Sequence, residues 1–480
     1  MITASAVPAM AYAADYGLTW RDQVRPLDAT ASAEDLRAAF GGPVPETGSD
    51  ESSVIQDLIR AAEPGLVGNT RPGFHAWVMG GSSPVGVAAD WLTSVWGQNA
   101  GIYQCSPAAA TAEEVAAEWL LDILDLPRQS SVGFVTGATM AGFVCLAAAR
   151  HEVLAREGHD FDEDGLIGCP KITVLLSEDT HISNLAALRY LGFGSRQILR
   201  IPTDAQGRMR VDVLGAEMDK ITGPRIIVST AGHINSGAFD DFAGIADLAE
   251  AHGAWLHVDS AFGLWARSVP ELKARTEGLD RADSWSTDGH KWLQVPYDSG
   301  FAIVRNPDAH RRAMDISASY LSQDPGDGRN PTHFGPELSR RARGFAVWAI
   351  MKSLGRDGVA QLIRGHCEAA QILAERLSTV DGITVENEVA LNQLVLTFAD
   401  GHRAPDWLAS KMETALNADG AHFFRTSQWR GQNMLRVSVI EDGTDADAIK
   451  RLAEKIRQVW IETKETLPAR ERHPNETSPS

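Results

Sequence analysis

The chain alternates short apolar runs with longer segments whose apolar residues recur at helical spacing. Five runs have the length and residue content of buried strands: residues 131–135, 172–176, 225–230, 255–259 and 301–304. Helical patterns lie between several of them, such as the Ala-rich segment that ends at Arg150 and the segment with Ile245 and Leu248. Because strands and helices alternate repeatedly, the pattern predicts an α/β fold with a mostly parallel sheet and helices on both faces.

One predicted helix has a recognisable N-terminal capping motif. Residues 111–114, Thr-Ala-Glu-Glu, match a capping box, which predicts that a helix begins there and runs to Pro127. A weaker helical spacing appears at residues 33–40, inside an N-terminal segment that is rich in Ala, Pro and acidic residues. Strand patterns at 393–398 and 435–440, followed by a helical pattern at 445–464, indicate a small α+β unit at the C-terminal end.

These patterns predict four consecutive parts. We expect a partly ordered N-terminal arm over residues 1–70, a large domain over 71–370, a small C-terminal α+β domain over 371–467 and a frayed tail over 468–480.

Composition narrows the class of protein. With 480 residues, 44% of them hydrophobic and 22% charged, the chain is typical of a globular protein with a large core. The net charge of −19 argues against a nucleic-acid partner. Four widely spaced cysteines without a CxxC pair indicate neither a zinc site nor a disulfide framework, so no metal is expected. No signal peptide or membrane span is recognisable, and a cytoplasmic protein without a membrane partner is the expectation.

Asp259 and Lys291 are the candidate chemical centre. Asp259 ends the run 255–259, and acids at the carboxyl end of a buried strand lie where open α/β sheets bind ligands. Lys291 follows in a segment flanked by Gly289 and Trp292. An ionised acid beneath a heteroaromatic nitrogen and an amine that can form a Schiff base are the minimum equipment for pyridoxal phosphate. Either residue alone would more often be a strand-end acid or a surface lysine.

The surrounding motifs carry a family resemblance. His-Val-Asp-Ser-Ala at 257–261 and Ala-Asp-Ser…His-Lys at 282–291 closely resemble the pyridoxal-phosphate-dependent group II decarboxylases, the aromatic amino acid and glutamate decarboxylase family. The resemblance implies the fold-type-I architecture, with a mostly parallel sheet of seven-stranded type, pyridoxal 5'-phosphate as cofactor, and a homodimer with active sites at the subunit interface. It also implies that the N-terminal arm over residues 1–70 contributes to dimerisation by packing against the second subunit. It also implies a carboxy-lyase that acts on a small-molecule L-amino acid through a Schiff base and a quinonoid intermediate.

The resemblance also assigns roles by position. Lys291 would form the Schiff base, Asp259 would keep the pyridine nitrogen protonated, and Ala261 would support the ring. His181, which follows the run 172–176, would stack on the ring. The phosphate contacts would come from Ala138, Thr139, Asp288 and His290, although a carboxylate facing a dianion is repulsive and Asp288 would more plausibly orient a neighbouring donor. From the residues alone, the small-residue turn and helix start after 131–135 also form an anion cradle.

Substrate identity is less well indicated. Trp77 falls where the family has a substrate-contacting aromatic residue, which favours an aromatic or large apolar side chain, although large aromatics are more often core residues. Arg425 and Arg430 could instead pair with an acidic side chain, although surface arginine is the commoner case.

Two departures from the family pattern leave the reaction open. Pro331 stands where the animal and plant aromatic decarboxylases have a loop tyrosine that protonates the quinonoid, so His333 or Tyr320 would substitute, or the enzyme would form aldehydes by oxidative deamination. His233 replaces a threonine of the animal enzymes and could act as an acid or base. It resembles the sphingosine-phosphate lyase branch, which implies an aldolase acting on β-hydroxy amino acids; equally, His233 could simply hydrogen-bond its loop. A cofactor-binding relative without turnover is the remaining alternative.

Overall fold

The computed structural model describes residues 6–23, 25–315, 328–399, 405–441 and 444–467. The helices in these ranges are α1 (Ala6–Asp22), α2 (Ala33–Phe40), α3 (Glu51–Ala62), α4 (Pro84–Trp96), α5 (Pro107–Ile123), α6 (Ala138–Arg156), α7 (Phe161–Asp164), α8 (Ile182–Tyr190), α9 (Val211–Met218), α10 (Phe242–Ala251), α11 (Pro307–Met314), α12 (Gly344–Leu377), α13 (Asp406–Asn417) and α14 (Ala446–Glu465). The strands are β1 (Ser131–Val135), β2 (Thr173–Ser177), β3 (Ile198–Ile201), β4 (Arg225–Thr230), β5 (Trp255–Asp259), β6 (Ser284–Asp288), β7 (Gly300–Val304), β8 (Ile383–Val385), β9 (Gln393–Phe398), β10 (Arg425–Trp429) and β11 (Gln432–Ser438).

The large sheet has seven strands in the order β1-β7-β6-β5-β4-β2-β3. Only β7 runs antiparallel to its neighbours; every other pairing is parallel. The connection between β6 and β7, residues 289–299, contains no helix that could carry a parallel crossover, which is why the chain returns antiparallel. The α/β fold with a mostly parallel seven-stranded sheet, expected from the sequence, is confirmed.

Apolar layers cover both faces of this sheet, and each has its own core. All residues of β5 are buried, and the indole N–H of Trp255 donates to Ser284 Oγ at 2.9 Å. The Ala-rich helix α6 packs on β7 and β6. It is long and apolar enough to cross a membrane by length and composition, but 67% of that window is buried inside the protein. Such burial is typical of a core helix rather than a membrane span.

The predicted start of α5 was wrong by four residues. The helix begins at Pro107, and the Ser106 hydroxyl accepts a hydrogen bond from the Ala109 N–H at 3.3 Å. A serine cap followed by proline at the first helical position defines this start and leaves Thr111 inside the helix. Glu113, which the capping box would have placed at the helix start, forms a buried bidentate ion pair with Arg340 instead, at 2.7 and 2.5 Å.

The small sheet is antiparallel, in the order β10-β11-β9-β8. It packs with α13, α14 and the last turns of α12 around a separate apolar core. Helix α12 changes direction at Gly355, where φ is +62° and ψ is −177°. The domain boundary expected between residues 370 and 371 falls inside α12, and this helix contributes residues to the core beside the large sheet and to the core of the small sheet.

A buried hydrogen-bond chain connects the segment after β6 with the end of the small sheet. The indole N–H of Trp292 donates to His366 Nδ1 at 3.0 Å, and His366 Nε2 lies 3.0 Å from the carbonyl oxygen of Glu441. The Glu441 carboxyl is 4.0 Å from His75 Nδ1. Burial lowers the pKa of His75 to about 3 and raises the pKa of Glu441 well above its ordinary value, so both groups are held neutral.

Candidate cofactor and active site

The carboxyl ends of neighbouring parallel strands bring the candidate residues to one edge of the large sheet. Asp259, the last residue of β5, lies in register with Thr230 of β4 and Ser286 of β6. Lys291 follows the end of β6 by three residues, and β2 leads into His181. Because open α/β sheets bind ligands at this edge, the fold gathers an acid, an amine and an imidazole around one site.

Asp259 is a buried carboxylate with donors from two elements. The Asn184 amide donates to Oδ2 at 2.7 Å, and the backbone N–H of Ala261 donates to Oδ1 at 3.3 Å. Ala261 is itself held in place, because its carbonyl accepts from the Asp288 N–H at 2.9 Å. Both donors point at the carboxylate oxygens, and the carboxylate has further acceptor positions that could accept a hydrogen bond from a protonated ring nitrogen.

Lys291 and Asp288 form an ion pair, with 3.1 Å between Nζ and Oδ2. The other oxygen of Asp288 accepts from the Ala138 N–H at 2.5 Å and lies 3.4 Å from His290 Nε2. His290 Nδ1 accepts from the Ser299 N–H at 3.1 Å, which leaves the proton of the neutral ring on Nε2, facing Asp288. Burial lowers the pKa of His290, and the Asp288 carboxylate opposes that shift.

The start of α6 is an open anion cradle. Gly137 is the residue before the helix, and it provides no side-chain cap. A Cβ at this position would lie 3.0 Å from His290 Cε1 and 3.3 Å from Asp288 Oδ1. The absence of a side chain therefore leaves space beside the first turn of the helix, where the Ala138 N–H donates to Asp288 Oδ1. The N–H groups of this first turn and the helix dipole favour an anion at this position.

His181 is placed at the start of α8 with its side chain exposed at the site. Its Nδ1 accepts from the Ser183 N–H at 3.3 Å and lies 2.7 Å from Ser183 Oγ, so the ring orientation is fixed. Removal of water by the surrounding protein lowers the pKa of His181, an effect that Asp259 opposes. The ring is thus a flat and mostly neutral surface at neutral pH.

A cavity of about 520 Å³ opens at this edge of the sheet. Its lining comes from six segments of the chain: Trp77, Val78, Asp179, Thr180, His181, Ile182, His233, Ile234, Asn235, Lys291, Ser427, Gln428, Trp429 and Arg436. Trp77 has a left-handed backbone, with φ of +55°, and its indole packs against Phe74 and Phe423 with ring centroids 5.9 Å apart. Its side chain remains 44% exposed, so an apolar surface is available to a ligand.

His233 lines the cavity but is engaged by its own loop. Its Nδ1 accepts from the backbone N–H groups of Asn235, at 3.4 Å, and Ser236, at 3.3 Å. The Nε2 edge of the ring packs against Gly207, where a Cβ would lie 3.0 Å from Nε2. Burial lowers the pKa of His233 to about 4, so the ring is neutral at physiological pH. These contacts define a loop-holding function, and an acid–base role for His233 stays a prediction.

The substrate-binding residues that the sequence suggested in the segment after α11 are not among the described residues that line the cavity. His333 Nε2 is 3.7 Å from Asp315 Oδ1, and the ring is close to Phe334, away from the cavity of this chain. Pro331 is buried at the start of a short 3₁₀ turn. Tyr320 lies outside the described residues. The substrate-binding roles of His333 and Tyr320 therefore stay predictions.

Arg436 is a cavity residue that sequence reasoning did not identify. It lies on β11, is 7% exposed, and donates from Nη1 to the carbonyl of Ile234 at 3.3 Å and to Asn235 Oδ1 at 3.4 Å. Burial lowers its pKa to about 10, so it remains cationic at neutral pH. The sequence feature that could have identified it is an arginine within the mostly apolar run 434–440, since arginine is rarely buried without a partner.

Arg425 and Arg430, which the sequence suggested for an acidic substrate, are engaged outside the cavity. Arg425 pairs with Glu413 at 2.8 Å, and Arg430 donates to the carbonyl of Asp204 at 3.1 Å. The cation that lines the cavity is Arg436 instead.

The residues fit pyridoxal phosphate. The glycine-lined helix start suits a phosphate, the amine of Lys291 suits the aldehyde, and the Asp259 carboxylate suits a protonated ring nitrogen. The Asp288 carboxylate lies at the same helix start, where it is held by Lys291 and Ala138. The Ala138 N–H donates to Asp288 Oδ1 and His290 Nε2 faces the same oxygen, so the phosphate contacts of Asp288, His290 and Ala138 and the orienting role of Asp288 stay predictions.

Comparisons with known proteins agree with this chemistry. Residues 34–397 match the family described as the pyridoxal-dependent decarboxylase conserved domain. The chain is 29% identical to an aromatic-L-amino-acid decarboxylase of Bacillus atrophaeus over 462 residues, which covers 92% of each chain. Among solved structures, TDC of Oryza sativa with PLP and tryptamine superposes with a TM-score of 0.87, at 23% identity over 96% of this chain and 98% of the other. The 4-hydroxyphenylacetaldehyde synthase of Rhodiola rosea superposes with a TM-score of 0.85, at 21% identity over 96% and 99%. These two likenesses concern the fold.

Proposed function

Because the chain belongs to the pyridoxal-dependent decarboxylase family, we propose that it decarboxylates an L-amino acid with an aromatic or other large side chain. The enzyme class and the cofactor, pyridoxal 5'-phosphate, follow from the family. The observation that carries the proposal is that Lys291, His181 and Arg436 line one cavity, with Trp77 on its wall. An amine, a flat imidazole, a cation and an apolar aromatic surface are the groups that such a reaction requires.

Each residue has a separate task in this proposal. Bound pyridoxal phosphate supplies an aldehyde that condenses with amines and a ring that accepts the electrons of the broken bond. Lys291 would hold the aldehyde, and Asp259 would hold a proton on the ring nitrogen. His181 would offer its flat imidazole to the face of the ring. Arg436 pairs with the α-carboxylate, and Trp77 contacts the side chain of the substrate.

Arg436 and the aromatic wall support a substrate that has one carboxylate and a large side chain. The cation is buried, so a carboxylate that reaches it forms a strong, charge-assisted contact. Trp77 offers its exposed indole surface to the side chain of the substrate, and Trp429 lies in the wall of the same cavity. A planar substrate side chain would bind most favourably to such a surface, because an aromatic pair contributes binding free energy beyond that of the buried apolar area.

The site assignment is tested by trapping the cofactor. Borohydride treatment of the loaded enzyme followed by peptide mapping should label Lys291, and Lys291→Ala should lose the visible absorption of the bound cofactor. Unlabelled Lys291, or an unchanged visible spectrum in the variant, would refute the assignment. A panel of L-amino acids, with carbon dioxide and the amine product measured together, tests the reaction. Preference for small or acidic substrates over aromatic ones would contradict the role of Trp77.

A second candidate function is the formation of aldehydes by oxidative deamination. Pro331 favours it, because proline has no group that can donate a proton where the related aromatic decarboxylases are expected to have a tyrosine. Aldehyde, ammonia and oxygen uptake would then accompany the reaction. Pro331→Tyr should raise the ratio of amine to aldehyde, and an unchanged ratio would show that this position does not control the product.

We also propose that the enzyme is a cytoplasmic homodimer, built from an arm over residues 1–70, a large domain over 71–370 and a small domain over 371–467. Apolar side chains on α1 and α4 support the dimer, because they are exposed in the single chain: Val7, Met10, Leu18, Trp91, Leu92, Val95 and Trp96. Contiguous exposed apolar surface of this kind marks an interface. Analytical ultracentrifugation should give twice the chain mass, and Val95→Asp should lower it. A monomeric wild-type enzyme would refute the proposal.

A further inference from the structure

Asn184 occupies an unusual place for a polar helix residue. It is the third residue of α8, and it is 2% exposed. Its backbone N–H donates to the carbonyl of His181 at 3.1 Å, so the residue belongs to the first turn of the helix that starts at the site. A buried amide side chain without partners costs free energy, and here the side chain faces a charged group.

The side-chain amide of Asn184 contacts Asp259 directly. Its Nδ2 lies 2.7 Å from Asp259 Oδ2 and 3.1 Å from Thr180 Oγ1. The reverse orientation of the amide would place its carbonyl oxygen against the carboxylate, which is repulsive. The nitrogen therefore faces Asp259, and the contact is a charge-assisted hydrogen bond in a nearly dry place.

This contact leaves the other carboxylate oxygen available. Asp259 Oδ1 accepts from the Ala261 N–H at 3.3 Å, a long hydrogen bond. An ionised carboxylate has about four acceptor positions, so Oδ1 can accept a second, shorter bond. The two nearby imidazoles do not replace the amide. Burial lowers the pKa of His257 to about 4, so its ring is neutral, and burial also lowers the pKa of His181.

We propose that Asn184 is a positioning residue that fixes the orientation of the Asp259 carboxylate and keeps the shared proton on the ring nitrogen of the bound cofactor. The inference rests on the proposed placement of that nitrogen against Asp259. The amide hydrogen bond stabilises the carboxylate while it is charged, and so it favours the arrangement in which the nitrogen carries the proton. Without the amide, the proton moves toward the carboxylate and the ring draws electrons less strongly.

The test uses two variants of the loaded enzyme and a matched control. Asn184→Asp keeps the shape but loses the donor when ionised, and Asn184→Leu keeps the volume without any polar atom. Asn392→Asp makes the same atomic change at a buried amide of the small sheet, where Nδ2 donates to the carbonyl of Val439 at 2.9 Å. If neither Asn184 variant folds, Asn184→Ser, whose side chain is too short for the contact, carries the same expectation.

Protonation of the ring nitrogen is read directly with cofactor labelled with nitrogen-15 at that atom. In both Asn184 variants the resonance should move toward the unprotonated form, and the cofactor should dissociate faster. The kcat should fall by roughly tenfold to a hundredfold, the effect expected of one lost hydrogen bond to a charged group, with little change in KM. In Asn184→Asp, activity should partly return at lower pH, where the introduced carboxyl can donate.

Asn392→Asp should lower stability and leave the nitrogen resonance unchanged. A resonance and a kcat in both Asn184 variants that match the wild type would overturn the inference. Borohydride labelling of Lys291 distinguishes the two proposals. If Lys291 is labelled in variants whose resonance and kcat match the wild type, only the role of Asn184 fails and the proposed function stands.

Discussion

Replacing Arg436 by methionine should weaken the recognition of the substrate carboxylate. Methionine keeps the length of the buried stem and removes the charge and all donors of the guanidinium. In the described parts of the chain, no carboxylate oxygen lies within ion-pair distance of Arg436, and its protein contacts are two long hydrogen bonds at 3.3 and 3.4 Å. Most of its hydrogen-bonding capacity is therefore available to a ligand.

The size of the effect follows from the burial of Arg436. Truncating one partner of a buried, hydrogen-bonded charge pair costs about 2–5 kcal/mol. At about 1.4 kcal/mol for each factor of ten, kcat/KM should fall by roughly 30-fold to several thousand-fold. Because the pKa of Arg436 is lowered only to about 10, the contact should operate across the neutral pH range. Arg436→Lys should lose less, since it keeps the charge without the planar fork.

The assay compares the amino acid with its own amine product. The product lacks the carboxylate, so its inhibition constant should be nearly the same for the wild type and Arg436→Met, while kcat/KM for the amino acid falls. Arg425→Met serves as the control, because Arg425 is paired with Glu413 outside the cavity. A kcat/KM for Arg436→Met within threefold of the wild type, or equal weakening of amine binding, would refute the reasoning.

Three further predictions concern the cofactor cradle and the buried charges. Gly137→Ala should shorten the lifetime of the bound cofactor, because the added Cβ lies 3.0 Å from His290 Cε1; cofactor release followed by absorbance checks it, and an unchanged release rate contradicts it. Arg340→Leu leaves the Glu113 carboxylate buried and unpaired, so the free energy of unfolding should fall by about 3–5 kcal/mol in urea melts, and less when Glu113→Leu is added. Burial lowers the pKa of His75 to about 3 in the folded protein from the ordinary 6.5 of an exposed histidine, so the unfolded state binds more protons between these values and stability falls as pH falls. His75→Phe should remove up to about 1.4 kcal/mol per pH unit of that slope, and parallel curves would show that His75 does not carry it.

The sequence predicted the large sheet well because its strands are marked by local composition. The bounds predicted for residues 225–230 and 255–259 match β4 and β5, since strands buried on both faces form continuous apolar runs. The start of α5 was mistaken because two cap signals compete within a few residues. Ser106 and Pro107 define the start, and the acidic pair that resembled a capping box includes Glu113, whose partner is Arg340.

Arg436 and Asn184 could not be predicted because their meaning depends on distant contacts. Arg436 becomes a cavity residue only when β11 lies beside the loop with Ile234. Asn184 meets Asp259 across 75 positions of sequence. The hydrophobic periodicity of a strand or a helix indicates which residues are buried, but it does not indicate which distant residues they contact.

The chain of hydrogen bonds from Trp292 through His366 to Glu441 limits how this protein can be recombined. The residue beside Lys291 is connected to α12 and to the end of the small sheet by an imidazole whose two nitrogens have different partners, and the Gln294 amide adds a second connection by donating to the carbonyl of Ile440 at 3.2 Å. A hybrid that joins the first half of this chain to the second half of a relative would keep the first connection only with a histidine at the same place, in the same tautomer.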